Sequence, residues 1–162
     1  MFKARQVRPS CVFTSPMKAV IQRVSRAAVR VEGQTVGEIG RGLLVLLGIG
    51  KSDTGVTADW MINKLLTLRI FAAADGKMSR SVTDIAGGIL VVPQFTLYGE
   101  LEKGTRPSFS NAMPPAEALK FYNDFMAKLC ATTTLPVAEG RFAAMMNVEL
   151  VNEGPVTIIL ER

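Results

Sequence analysis

No histidine occurs anywhere in the 162 residues. Its absence excludes Ser-His-Asp and Cys-His nucleophilic sites and histidine-ligated zinc or iron, and removes the side chain that most often moves protons near neutral pH. Any catalysis rests on other groups. Cysteine is nearly as scarce: Cys11 and Cys130 are the two present, too few for a disulfide scaffold or a tetrathiolate centre, and without CxxC spacing. We therefore expect no metal and no cofactor, and a reducing, cytoplasmic setting. No apolar run approaches the ~18 residues of a membrane-spanning helix, so no membrane partner is expected. Charged residues make up 20% of the chain against 48% hydrophobic, a balance that excludes a disordered or fibrous chain. The length suits one compact domain at the usual scale of roughly 150 residues.

What charge there is carries a sign. The net value is +5, yet Lys3, Arg5 and Arg8 stand in the first 16 residues without one acid, and the remaining 16 basic and 14 acidic residues leave only +2. A chain so weakly basic would meet nucleic acid locally, through a few phosphates or an end, and not along a cationic groove. No DNA partner is expected.

Residues 1–16 lack apolar periodicity and end at Pro16-Met17, after which strand patterning begins. We read them as a disordered or upstream extension, with Met17 as the natural start of the domain spanning 17–162. From Lys18 the apolar positions fall close to alternation, and Glu32-Gly33-Gln34 supplies a tight turn, giving strands in antiparallel pairs. Gly42–Gly48 is continuously apolar, as in a strand buried on both faces. Helical spacing marks Val56–Leu68, with Thr54 or Thr57 as cap, and a second helix from Pro114-Pro115 to about Cys130. Further strands are expected at Ile89–Leu97, Arg141–Val151 and Val156–Leu160, the last two broken by Asn152-Glu153-Gly154-Pro155. The fold class is α+β: antiparallel strands in a β/β/α layered, barrel-like single domain with two main helices.

Two segments fit simple scaffolding poorly. Pro93 stands in an apolar run with Gln94 and Thr96, and central strands avoid proline because it cannot donate to the ladder; a strand edge or bulge there accounts for it as well as a functional role does. Asn152-Glu153-Gly154-Pro155-Val156-Thr157 reads alone as a plain turn with a trans bond. Lys51-Ser52 lacks the full phosphate-loop spacing and is read as a loop, and Trp60 falls in a helical pattern as a packing residue. The Arg23, Arg26 and Arg30 set suits a phosphate track or a solvated strand face.

Together and in order, the stretches MKAVIQRVSRAAVRVEGQTVGEIGRGLLVLLGI, LRIF, DGKM, VVPQFTLYG, KGTRPSF and GRFAAMMNVELVNEGPVT resemble the D-aminoacyl-tRNA deacylases over essentially Met17 to Arg162. Of the family's two signatures, the Asn-x-Gly-Pro-x-Thr stretch is intact at Asn152, Gly154, Pro155 and Thr157. In the Ser-Gln-Phe-Thr-Leu stretch, Pro93 replaces serine ahead of Gln94, Phe95, Thr96 and Leu97. A related animal branch with relaxed specificity also carries Pro-Gln there.

The resemblance implies hydrolysis of the ester of D-aminoacyl-tRNA, with glycine tolerated, by a homodimer. In it a cis Gly154-Pro155 bond enters the partner's pocket, and its carbonyls meet the substrate's amino group and exclude L side chains. It implies that Arg23 braces this motif and that Phe142 and Met146 hold the 3′-terminal adenosine of the tRNA. Backbone N–H groups around Phe95, Thr96 and Leu97 would bind the sugar and the scissile carbonyl's oxygen. Thr96, with Gln94 and Phe95 the catalytic candidates, has no histidine to activate it, and a threonine hydroxyl without a base is a weak nucleophile. The ester is already activated, so positioning plus backbone donors, with help from the ribose 2′-hydroxyl, would suffice. Relaxed specificity of the animal branch, and a non-catalytic RNA-binding module on the same fold, are the alternatives.

Overall fold

The computed structural model describes residues 15–162; residues 1–14, most of the expected extension, lie outside the described residues. The hub is β1 (Lys18–Val31), which pairs antiparallel with β2 (Gln34–Ile39), β3 (Gly42–Gly48) and β8 (Asn147–Glu161). The turn into β2 forms where expected, with positive φ at both Glu32 and Gly33, the backbone that a two-residue hairpin needs.

Beyond β3 the pairing changes direction. β6 (Gly88–Pro93) runs parallel to β3, and β7 (Val137–Glu139) parallel to β6, so the sheet is mixed, in the order β2-β1-β3-β6-β7 with β8 on the other edge of β1. Parallel neighbours need crossover connections. Helices α1 (Gly55–Thr67) and α2 (Pro115–Thr132) lie in those two connections, and a small hairpin of β4 (Phe71–Ala72) and β5 (Met78–Arg80) sits in the first. At the ends of the order, Gly37 of β2 meets the backbone of Glu139 of β7 so closely that a side chain there would collide with it, and the sheet nearly closes into a barrel.

Two cores result, and they explain the unbroken apolar runs. Leu43, Val45, Leu47, Ile89 and Val91 face the helices, packing against Met61, Ile62 and Leu65 of α1 and Tyr122, Phe125 and Leu129 of α2. Leu44, Leu90 and Val92 face the other way with Val24, Ala27, Val29 and Ile39. A strand buried on both faces has no polar side to display. Each fully buried large side chain contributes roughly 1.5–3 kcal/mol.

Three elements differ from their sequence reading. β1 is one 14-residue strand whose inward positions change phase, since Ala19 and Ile21 join the helix-side core while Val24, Ala27 and Val29 join the other. The strand expected through Leu97 stops at Pro93, and Phe95–Tyr98 forms a 3-10 turn. Proline falls on the last β6 position, beyond the last pair with β7, where its missing N–H costs no ladder bond. The strand expected from Arg141 begins only at Asn147, and the chain across Asn152–Val156 stays within β8 instead of breaking it. Among the described residues, no helix is long and apolar enough to cross a membrane.

Candidate active site

The Asn152–Thr157 segment is an outsized bulge with a single residue opposite it. In the β1–β8 ladder Val24 pairs with Asn152 and Gln22 with Thr157, so Glu153, Gly154, Pro155 and Val156 together face Arg23. Extra residues in one strand leave the ladder and re-aim the backbone. Arg23 occupies the space this opens: its Nε donates to the Glu153 carbonyl at 3.0 Å and its Nη1 to the Ile70 carbonyl at 2.6 Å. Asn152 and Thr157 close the base of the bulge, with Asn152 Nδ2 donating to Thr157 Oγ1 at 3.1 Å and Val156 N–H to Asn152 Oδ1 at 3.0 Å. At its exposed tip the Gly154-Pro155 peptide is cis, and Gly154 has φ +124°, a backbone open essentially to glycine. Arg41 adds a looser contact, 3.6 Å from the Glu153 carboxylate across a half-exposed pair.

A pocket of about 420 Å³ opens elsewhere, between the end of β6 and the start of α2. Its lining is mostly apolar and includes Ile49, Phe109, Met113 and Pro114 with Gln94, Phe95 and Phe142. Phe95 is 58% exposed and meets Phe109 edge to face at 5.0 Å between ring centroids; an exposed aromatic pair beside a pocket is an available stacking surface for a planar group.

The 3-10 turn sets the polar edge of this pocket. Leu97 N–H bonds back to the Gln94 carbonyl at 3.3 Å and Gly99 N–H to the Thr96 carbonyl at 3.0 Å. Among the described residues, the Phe95 and Thr96 N–H groups make no backbone hydrogen bond, as is general for the first donors of a helical turn. Two of the three expected donors are therefore available, and the third is spent inside the turn. The Thr96 hydroxyl accepts a hydrogen bond from the Gln94 side-chain amide. An amide N–H is a donor and not a base, so Gln94 orients this hydroxyl without activating it.

Within one chain, then, the structure brings Gln94, Phe95, Thr96 and Phe142 to one site, and Arg23, Asn152, Gly154, Pro155 and Thr157 to another. Met146 lines neither: its Sδ accepts from Arg141 N–H at 3.3 Å, and it packs against the second core behind Gly140. Sequence reading missed Phe109, Met113 and Pro114 as pocket walls, since Pro114 signals a helix start and Phe109 carries no periodic pattern. Trp60 is packed, between Lys64 and Arg162, and Lys51-Ser52 is a loop whose Lys51 N–H bonds to the Asn111 carbonyl. Among the described residues no group of three His, Cys, Asp or Glu could hold a metal ion.

A family model described as D-Tyr-tRNA(Tyr) deacylase matches residues 20–161. The D-aminoacyl-tRNA deacylase of Geotalea uraniireducens is 54% identical over 145 residues, 90% of this chain and 93% of that protein. That of Chloroherpeton thalassium is 50% identical over the same length, 95% of its own. Among solved structures, a c-Myc DNA unwinding element binding protein is 46% identical with TM-score 0.85, covering 90% of this chain and 98% of that one. A probable eukaryotic D-amino acid tRNA deacylase, 19% identical with TM-score 0.78 over 91% of this chain and 100% of its own, shares the fold. Matched across nearly its whole described length, the chain belongs to the D-aminoacyl-tRNA deacylase family.

Proposed function

We propose that this protein hydrolyses the ester bond of D-aminoacyl-tRNA, releasing the D-amino acid and the tRNA, as a cytoplasmic homodimer that proofreads charged tRNA. The observation that carries the reading is the apolar pocket with the unspent Phe95 and Thr96 N–H groups at its edge. In this reading the terminal adenosine enters the pocket against Phe95, Phe109 and Phe142. The scissile carbonyl's oxygen meets the two N–H groups, which stabilise the charge that develops there; one such donor is typically worth ~10²–10³ in rate.

Selectivity comes from the β8 bulge of the partner subunit. Gly154 and Pro155 stand exposed at its tip, away from their own chain's pocket, so they serve a site only by entering a second copy's. There the backbone carbonyls receive the substrate's amino group and leave no room for an L side chain, whereas glycine on tRNA(Ala), having none, is accepted. The weak net charge of residues 17–162 suits contact with an RNA end more than with a duplex.

Water attacks with help from the ribose 2′-hydroxyl, and Thr96 positions. Thr96→Ala should keep at least about a tenth of the wild-type single-turnover rate, as expected of an unactivated hydroxyl. A substrate charged on a 2′-deoxy terminal adenosine should fall by about 10²-fold, the lower range for an acid–base group. An inactive Thr96→Ala enzyme with undiminished cleavage of the deoxy substrate would reinstate threonine as nucleophile.

A further inference from the structure

Asp53, in the loop between β3 and α1, is a buried carboxylate with half its bonding unmet. The residue is 8% exposed. Its Oδ2 accepts from Gly50 N–H at 2.7 Å, while its Oδ1 is buried and, among the described residues, has no hydrogen-bond partner. A buried charge is tolerated when it is paired and hydrogen-bonded, and no ion pair of the described residues includes Asp53. The cation of the adjoining strand, Lys18, is committed to Glu161 at 3.2 Å. Burial raises the Asp53 carboxyl to about 6, partly offset by the Gly50 and Met17 N–H groups and the Thr57 hydroxyl.

The Met17 N–H near this carboxylate supplies one proton, and it is already directed to the Arg162 carbonyl at 3.0 Å. Met17 itself is fully buried. A peptide nitrogen cannot serve both acceptors well, but an α-ammonium at the same place has three N–H bonds and a positive charge. It would keep the Arg162 carbonyl and still have a donor for Oδ1.

We propose that Asp53 is the receptor for a free α-amino group on Met17, so that the 17–162 form, not the longer one, completes the fold at this corner. The site lies beside the candidate active site. Tyr98, the last residue of the 3-10 turn, has one hydroxyl proton and two carbonyls in reach, Pro16 at 2.6 Å when residue 16 is attached and Gly48 at 3.1 Å. Ser52 likewise reaches the Ser15 carbonyl at 2.8 Å. The state of the N-terminus is thereby in contact with the turn that carries Phe95 and Thr96. The relatives are matched along 145 residues, 93–95% of their own length, close to the length of a 17–162 chain.

The test compares melting temperatures at pH 7 of chains 1–162 and 17–162, each with and without Asp53→Asn, together with a 17–162 chain acetylated at its α-amine. In the long chain Asp53→Asn should leave the midpoint unchanged or raise it, because it removes an unpaired charge. In the short chain it should lower the midpoint by roughly 5–10 °C, the scale for breaking a buried pair in a domain of this size, and acetylation should do the same. The α-amine of the short chain should titrate above its ordinary ~7.7–8.0 and return there with Asp53→Asn. An equal effect of Asp53→Asn in both chains, an α-amine with ordinary titration, or a short chain that does not fold would each overturn the proposal. None of these readouts depends on deacylation.

Discussion

Gly154→Ala should lower deacylation of D-aminoacyl-tRNA by at least about 100-fold while the melting temperature changes by only a few degrees. The backbone at Gly154, φ +124°, is one that side chains rarely adopt. A methyl group placed there would fall 2.5 Å from Arg23 Nη2, so the alanine must move the bulge, the guanidinium, or both. A shift of ~1 Å in a positioning element can cost ~10² in rate. The tip is exposed and outside both cores, which confines the damage to catalysis. Single-turnover hydrolysis beside a thermal melt checks both halves, and near-normal activity would mean that the bulge has no part in the reaction.

Arg23→Ala should cost both activity and stability. The guanidinium joins two segments far apart in sequence, the Glu153 carbonyl of the bulge and the Ile70 carbonyl ahead of β4, and hydrogen bonds from a charged donor contribute about 1.5–3 kcal/mol each. Loss of both leaves two part-buried acceptors unmet, with an expected fall in melting temperature of roughly 5–10 °C and in rate of about 10²–10³. Arg23→Lys should recover little, since an ammonium cannot reproduce the fixed fork that spans the two carbonyls. Arg41→Ala, which removes a half-exposed pair at 3.6 Å, should sit near wild type. A full rescue by lysine would show that charge alone, and not geometry, holds the bulge.

The sequence made the burial pattern legible and left the pairing partners hidden. Gly42–Gly48 reads as a strand covered on both faces because its composition says so, but periodicity reports which sides are buried and not which neighbour lies beside or in which direction. The parallel β3–β6 register was therefore out of reach, as was the mixed sheet it creates. The alternation read along β1 was only approximate because its bulges shift the inward positions from Ile21 to Val24 and again to Ala27. Asn152–Thr157 looked like a break because four residues without ladder partners resemble a loop, although the strand resumes its pairing beyond them.

The candidate site was legible mainly through family resemblance. Residue chemistry alone left Pro93 and Gly154-Pro155 as an ordinary strand edge or bulge and a plain turn. Pro93 ends its strand, where the plain reading had an edge or bulge in a strand running on to Leu97, and the 3-10 turn that follows could not be foreseen because Phe95 and Leu97 prolong an apolar run. Phe109 and Met113 reach the pocket from the loop before α2, and Asp53 Oδ1 lacks a hydrogen-bond partner among the described residues, through tertiary packing that leaves no mark on local pattern.

Hydrolysis of D-Tyr-tRNA beside L-Tyr-tRNA by the purified protein, in chelator and without added metal, tests the central claim most directly. The account predicts rapid loss of the D ester and an L ester stable at the buffer rate. Equal cleavage of the two, or no cleavage of either, would contradict it.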